Sequence, residues 1–355
     1  MKAAVFYEAE DLRVEDVPEP EAGPDEVIVK VLACGFCGSD IEYYYGRSPV
    51  GTPTGKGPLV LGHEICGQVV HAGKLAEQYG LAEGDRVALN PVQSCNACNA
   101  CRAGKLQFCQ NLTVLGVTMN GGFSEYVTTK IAHAYKLPDA LTDDQGAFVE
   151  MLSSAVYSVQ RAEIEPENFA VVYGPGPVGL SMVQLLKNEG ARVALVGTRD
   201  YRLEIGRSVG ADFVWNDSDE SSIYYAPDIA KSIQEVNGGA LADRVLVATA
   251  SVAANQQAIE VSGPGSTVVL MGLAGPEDAI SVPLLSNLYQ DKTIRFSLLY
   301  PLQWPKTLRI LADKKVDTGQ IITHSATLDG IAPAIERVLN REDDVIKTVI
   351  KPSGA

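Results

Sequence analysis

The chain has 355 residues, which suits two domains of roughly 150 residues each and excludes a single small module. Its composition, 46% hydrophobic and 21% charged, is that of an ordinary globular protein, so disorder is excluded as the dominant state. A formal net charge of −15 repels phosphate backbones and anionic bilayers, which argues against nucleic-acid and membrane partners.

In chain order, the first stretch reads as short Val-rich strands: Val27–Ala33, Gly67–Gly73, Asp85–Leu89 and Phe123–Val127, bounded by Gly, Pro or Asp. Near residue 150 the pattern changes. A helix over Val149–Arg161 leads to a strand Asn168–Tyr173, a helix Val178–Gly190, a strand Arg192–Val196 and a helix Arg202–Gly210. Next come Phe213–Val214, a helix around 226–237, strand Arg244–Ala248, helix Ala253–Val261 and strand Thr267–Met271. Strands alternating with helices predict an α/β domain with a parallel, doubly wound sheet. The tail gives helices Trp304–Lys314 and Ile331–Asn340 and a strand Ile346–Ile350. It has no core of its own, so residues 298–355 are expected to join 1–150 in a β-rich domain, around a dinucleotide-binding domain of 151–297.

The longest greasy stretch, 169–186, is interrupted by Gly174-Pro175-Gly176-Pro177 and cannot span a bilayer. Glu8, Glu10 and Asp11 interrupt the N-terminus before a signal core could form. A cytoplasmic protein is expected.

Gly174-Pro175-Gly176-Pro177-Val178-Gly179 is G-x-G-x-x-G between a strand and a helix. In that setting Gly174 makes the tight turn, Gly176 admits the pyrophosphate and Gly179 lets helix and strand pack, while Pro177 and Val178 open the helix whose N-terminus faces the phosphates. The second strand tips at Gly197, followed by Thr198 and Arg199. A small residue with a hydroxyl and a guanidinium beside it suits a 2′-phosphate, which favours NADP; Asp200 keeps NAD open if the strand runs longer.

Seven cysteines, four of them within fifteen residues, make a poor disulfide framework and a good metal one. Cys95, Cys98, Cys101 and Cys109 supply four thiolates for a closed structural zinc. A second set is dispersed: Cys37 in Gly35-Phe36-Cys37-Gly38-Ser39-Asp40, His63 and Glu64 after Gly62, and Glu150. One thiolate, one imidazole and one or two carboxylates suit an open zinc site. Cys34 and Cys66 read as small buried hydrophobes.

These motifs, with Gly121-Gly122-Phe123-Ser124-Glu125-Tyr126, occur in an order that resembles the zinc-containing medium-chain alcohol and polyol dehydrogenases over nearly the whole chain. Glu150 points to the sorbitol/threonine dehydrogenase branch. The resemblance implies a GroES-like catalytic domain joined to a Rossmann domain, and a homodimer or homotetramer. It implies a catalytic zinc on Cys37, His63 and Glu64, with Glu150 as fourth ligand or as partner of the zinc-bound water. Ser39 matches the residue that relays the alcohol proton. Arg295 matches an arginine that meets a substrate hydroxyl in sorbitol dehydrogenases. Glu42 stands where the family usually has a relay histidine, so proton exit is assigned to that carboxylate or to water. Met151 and Phe296 also depart from the family's usual proline and tyrosine.

The expected substrate is a secondary alcohol flanked by hydroxyls: a polyol, cyclitol or sugar. The residues behind this are Tyr43, Tyr44, Tyr45 and Arg47, which a packing role explains equally well, together with Arg295. A threonine- or aldose-type dehydrogenase of the same fold is the nearest alternative. Further off lie a zinc-free quinone reductase and a non-catalytic zinc-stabilised dinucleotide-binding protein.

Overall fold

The computed structural model describes residues 1–353. The chain divides into two compact units: Met1–Met151 with Trp304–Asp313 and Ile322–Ala355, and Leu152–Gln303 with Lys314–Ile321. The expected tail segment is therefore shared. Residues 314–321 join the second unit because the Gln184 side chain brackets Asp317, accepting from its N–H at 2.6 Å and donating to its carbonyl at 3.1 Å. Asn188 also donates to the Lys315 carbonyl at 2.7 Å.

The first unit is built on a sheet centred on the Glu26–Gly35 strand, which pairs antiparallel with Glu64–Ala72, Tyr126–Lys130 and Lys347–Lys351. Val27, Val29 and Val31 point into the core and alternate with more accessible neighbours, the period-two pattern of a half-buried strand. A smaller sheet holds the Lys2–Glu8 and Asp11–Asp16 hairpin with Leu59–Val60. Sequence reading misses this hairpin because the positive-φ turn residue is Glu10 rather than glycine.

The strand expected at 123–127 starts three residues later, at Tyr126. The Ser124 hydroxyl donates to the Gly121 and Tyr126 carbonyls and folds the backbone locally instead. The long helix begins earlier than expected and spans Asp143–Ala162. Thr142 and Gln145 form its capping box, each side chain accepting from the other's backbone N–H at 3.0–3.2 Å.

The second unit has the expected parallel sheet, with the five strands read from the sequence and a sixth, Thr293–Phe296, that the reading missed. Its order is Phe213–Asn216, Arg192–Gly197, Phe169–Tyr173, Ala242–Val247, Ser262–Leu270, Thr293–Phe296. The strand order reverses between Phe169–Tyr173 and Ala242–Val247, the switch point where such folds bind ligands. All five residues of Phe169–Tyr173 are buried, as a strand covered on both faces requires. Thr293–Phe296 is an edge strand. Among the described residues no helix is long and apolar enough to cross a membrane.

Candidate active site and cofactor sites

Cys37 is the N-cap of the Gly38–Tyr44 helix, a helix absent from the sequence reading. Asp40, one turn on, accepts the Cys37 N–H at 2.9 Å through Oδ2 and so fixes the backbone that carries the thiol. His63 and Glu64 arrive where the chain enters the Glu64–Ala72 strand, after Gly62 at φ +89°. The Gly121-Gly122-Phe123 segment clamps that turn, with N–H groups on the Val60, Gly62 and Leu61 carbonyls at 2.8, 2.8 and 3.0 Å. A Cβ on Gly121 would strike the Gly62 carbonyl, so the motif's first glycine is a packing requirement of the His63 turn.

The Cys37 sulfur, a His63 nitrogen and a Glu64 oxygen all lie within 4.8 Å of one another. His63 Nδ1 is 3.6 Å from Asp40 Oδ1, and both side chains are buried. Burial opposes the imidazolium, yet the Asp40 carboxylate and the Cys37 sulfur hold the His63 pKa well above its ordinary value. The same negative field would hold a metal cation. Glu64 is fully buried, and its Oε2 has no hydrogen-bond partner. A buried carboxylate oxygen left unpaired is costly unless a cation meets it, so this donor set fits a zinc ion.

Gly35 belongs to the same cluster, since a Cβ there would overlap Glu64 Oε2. Gly35→Ala is expected to cost roughly 1–3 kcal/mol by overpacking and to displace the carboxylate, lowering kcat/KM about tenfold, on the scale of disturbed metal-ligand positioning. Thermal melts and steady-state kinetics check this; a variant matching the parent in both would remove Gly35 from the site.

Glu150 is buried on the Asp143–Ala162 helix and lies outside the three-residue cluster. Its charge still acts on Lys347, a cation buried against Glu64. Ser39 sits in the first turn of the Gly38–Tyr44 helix, partly accessible. Glu42 is half-exposed and paired with Arg47 at 3.1 Å. The tyrosine run divides: Tyr44 and Tyr45 pack edge to face, with Arg47 over the Tyr45 ring. Tyr43 lies within the electrostatic reach of Asp40, Cys37 and His63, and burial raises its phenol pKa.

Arg295 is given structural partners in its own unit. Its Nη1 lies 2.5 Å from Glu163 Oε1 and donates to the Arg161 carbonyl at 2.8 Å, and its Nη2 donates to Glu163 Oε2 at 2.9 Å. It thus closes the C-terminus of the Asp143–Ala162 helix, where a cation is favourable. Sequence could not show this pairing, because 132 residues separate the two side chains.

The four-cysteine lobe is compact. Sulfur–sulfur distances are 3.5 Å for Cys98–Cys101 and 4.0 Å for both Cys95–Cys101 and Cys98–Cys109. A tetrahedron with zinc–sulfur bonds of ~2.3 Å has edges of about 3.8 Å, so the lobe has the dimensions of a zinc–thiolate centre. The thiols are not alike: the Ala97 and Cys98 N–H groups pull Cys95 down to about 6, whereas burial pushes Cys101 up to about 12. Cys95 and Asn111 both donate their backbone N–H to Cys109 Sγ at 3.3 Å. Cys34 and Cys66 are fully buried and outside both clusters.

In the second unit, Gly174 has φ +96°, and a Cβ on Gly179 would strike the Gly174 carbonyl. A Cβ on Gly176 would meet nothing within 4 Å. The turn therefore leaves open space where a pyrophosphate would lie, at the N-terminus of the Pro177–Asn188 helix, with Pro177 and Val178 in its first turn. Gly197 ends its strand beneath Pro175, where any side chain would collide with the ring. Arg199 is the N-cap of the Asp200–Ser208 helix. Asp200 accepts from Asn216 Nδ2 at 2.9 Å and Ser222 Oγ at 2.5 Å, so its Oδ1 is engaged within the protein.

Comparison with known proteins agrees with this geometry. Residues 23–139 match the alcohol dehydrogenase GroES-like domain, and residues 177–313 match the zinc-binding dehydrogenase family. Sorbitol dehydrogenase of Ovis aries is 33% identical over 329 residues, covering 92% of this chain and 90% of that protein. L-galactonate-5-dehydrogenase of Escherichia coli K12 is 32% identical over 337 residues, 94% of each. Among solved structures, a zinc-binding dehydrogenase from Sinorhizobium meliloti 1021 bound to NADP superposes with a TM-score of 0.91 at 28% identity, covering 99% of both chains. With its two cysteine-based clusters and its dinucleotide turn, the chain belongs to the zinc-containing medium-chain alcohol and polyol dehydrogenases.

Proposed function

We propose that this enzyme oxidises a secondary alcohol of a polyol, cyclitol or sugar, with NADP preferred over NAD. The observation that carries the reading is the buried Cys37–His63–Glu64 cluster with an unpaired carboxylate oxygen. When bound, zinc supplies a Lewis acid that acidifies the substrate hydroxyl, and the nicotinamide supplies the hydride acceptor. Ser39, two residues from Cys37, accepts the hydroxyl proton as it releases its own. The released proton goes to the Glu42 carboxylate, on the same helix and ion-paired with Arg47, or to water. Glu150 supports the centre through its charge. Tyr43, half-buried near Asp40, Cys37 and His63, offers its phenol O–H to a second substrate hydroxyl. In the second unit the backbone of Gly174–Gly179 receives the pyrophosphate. Thr198 and Arg199 then face the ribose, with Asp200 drawn away by Asn216 and Ser222, and this supports NADP.

The test is nicotinamide absorbance with NAD and NADP in parallel over polyols, sugars, threonine and simple alcohols. Turnover of polyols that is lost with a chelator and restored by zinc is expected. Good oxidation of aliphatic alcohols with none of polyols would sink the polyol reading, and a preference for NAD would sink the assignment of Thr198 and Arg199.

The chain is proposed to work as a homodimer in the cytoplasm. All seven cysteines are free, and the four-thiol lobe and the single thiol of the Cys37–His63–Glu64 cluster need a reducing compartment. The Thr293–Phe296 edge strand and the Leu284–Gln290 helix expose Leu284, Leu288, Tyr289 and Phe296, a patch that a second copy would cover. Tyr289→Glu is expected to halve the mass measured by light scattering; an unchanged mass would place the interface elsewhere.

A further inference from the structure

Lys347 is the first residue of the Lys347–Lys351 strand, and only 4% of its side chain is exposed. A buried ammonium is tolerated only where its protons and charge are matched. Its Nζ donates to Glu64 Oε1 at 2.6 Å and to the Phe36 carbonyl at 3.0 Å. Phe36 immediately precedes Cys37, and its own N–H is bound by the Thr348 carbonyl at 2.9 Å. One side chain therefore joins the backbone before the thiol of the cluster to the carboxylate of the cluster. The two oxygens of Glu64 are thereby made unequal: Oε1 is taken by Lys347, and Oε2 is buried without a partner. Gly35 packs so close to Oε2 that not even a methyl group fits between them, which limits how the carboxylate can turn.

We propose that Lys347 is a positioning residue for the metal centre: by occupying Oε1 it leaves Glu64 a single oxygen to offer a cation, and through Phe36 it anchors the Cys37 backbone. This rests on the reading of Cys37, His63 and Glu64 as metal ligands. Its consequence is an open coordination position. A carboxylate free to bind through both oxygens would compete with the substrate hydroxyl, whereas one held through a single oxygen does not.

The experiment replaces zinc by cobalt(II) and compares visible spectra of the parent, Lys347→Met and Lys347→Arg. Tetrahedral cobalt absorbs strongly and cobalt of higher coordination weakly. Lys347→Met is expected to keep its cobalt content, to lose visible intensity, and to lose about 10- to 100-fold in kcat, the scale of outer-shell substitutions at metal sites. Lys347→Arg, which keeps charge and donors, is expected to recover most of both. Should Lys347→Met not fold, Lys347→Gln takes its place with the same expected changes. A folded Met or Gln variant with the parent's spectrum and kcat overturns the proposal. Cys37→Ser separates the two levels, since it should bind one cobalt fewer per chain. If it binds as many as the parent, the site reading itself has failed; if it loses one while the Lys347 variants match the parent, only the role of Lys347 has.

Discussion

Replacing Cys37 by serine should leave a folded chain that no longer oxidises alcohols, with kcat/KM reduced at least about 10³-fold. A Lewis-acid metal contributes several kcal/mol to charge stabilisation, and roughly 4 kcal/mol is three orders of magnitude in rate. The fold should survive for a local reason. Cys37 is an N-cap with extended backbone, φ −97° and ψ 153°, and serine is among the preferred residues at that position. The thiolate is lost while the helix start is kept. Bound zinc should fall by one per chain, with little change in the melting temperature. A variant that melted far below the parent would show that this cluster holds the fold as well as the chemistry.

Cys109→Ser should do the opposite. Cys109 is buried, closes the four-sulfur cluster and accepts two backbone N–H groups. Structural zinc sites carry apparent binding energies of about 10–16 kcal/mol, so a quarter share is about 3 kcal/mol. The lobe is short and has few apolar residues with which to replace that loss. Metal content should again fall by one, now with a lower melting temperature and aggregation, while the molecules still folded retain turnover. Melting curves, zinc content and activity per folded molecule measured on both serine variants distinguish the two centres. If both were equally stable and equally inactive, their division into structural and catalytic metals would fail.

What the sequence made legible follows from distance along the chain. The cysteine lobe lies within fifteen residues and the dinucleotide turn within six, so their spacing is their geometry. The inner part of the parallel sheet was legible because strands such as Phe169–Tyr173 are buried along their whole length and alternating helices punctuate it; the partly exposed edge strand Thr293–Phe296 gave no such signal. Lys347 carried no signal, because it meets Glu64 across 283 residues and reads as one polar residue before an apolar run. The engagement of Arg295 by Glu163 was hidden in the same way, as was the packing of Gly121 on the Gly62 turn. Asp40 was visible in its motif, but its contact with His63 depends on how the Gly62 turn is folded.

The Lys347–Lys351 strand lies beside Glu26–Gly35 in the sheet, with Val349 opposite Gly35 and Ile350 opposite Cys34, although more than 300 residues separate them in the chain. Synthesis at ~5–20 residues per second puts about 15–60 s between Phe36 and its hydrogen-bond partner Lys347 leaving the ribosome. During that interval the cysteine lobe, whose ligands emerge almost together, can already capture its ion, and the nearly continuous second unit can form around its own sheet. The partner that fixes Glu64 arrives only with the last strand. The geometry of that centre is thereby completed last in the order of translation, although its three ligands are among the first residues made.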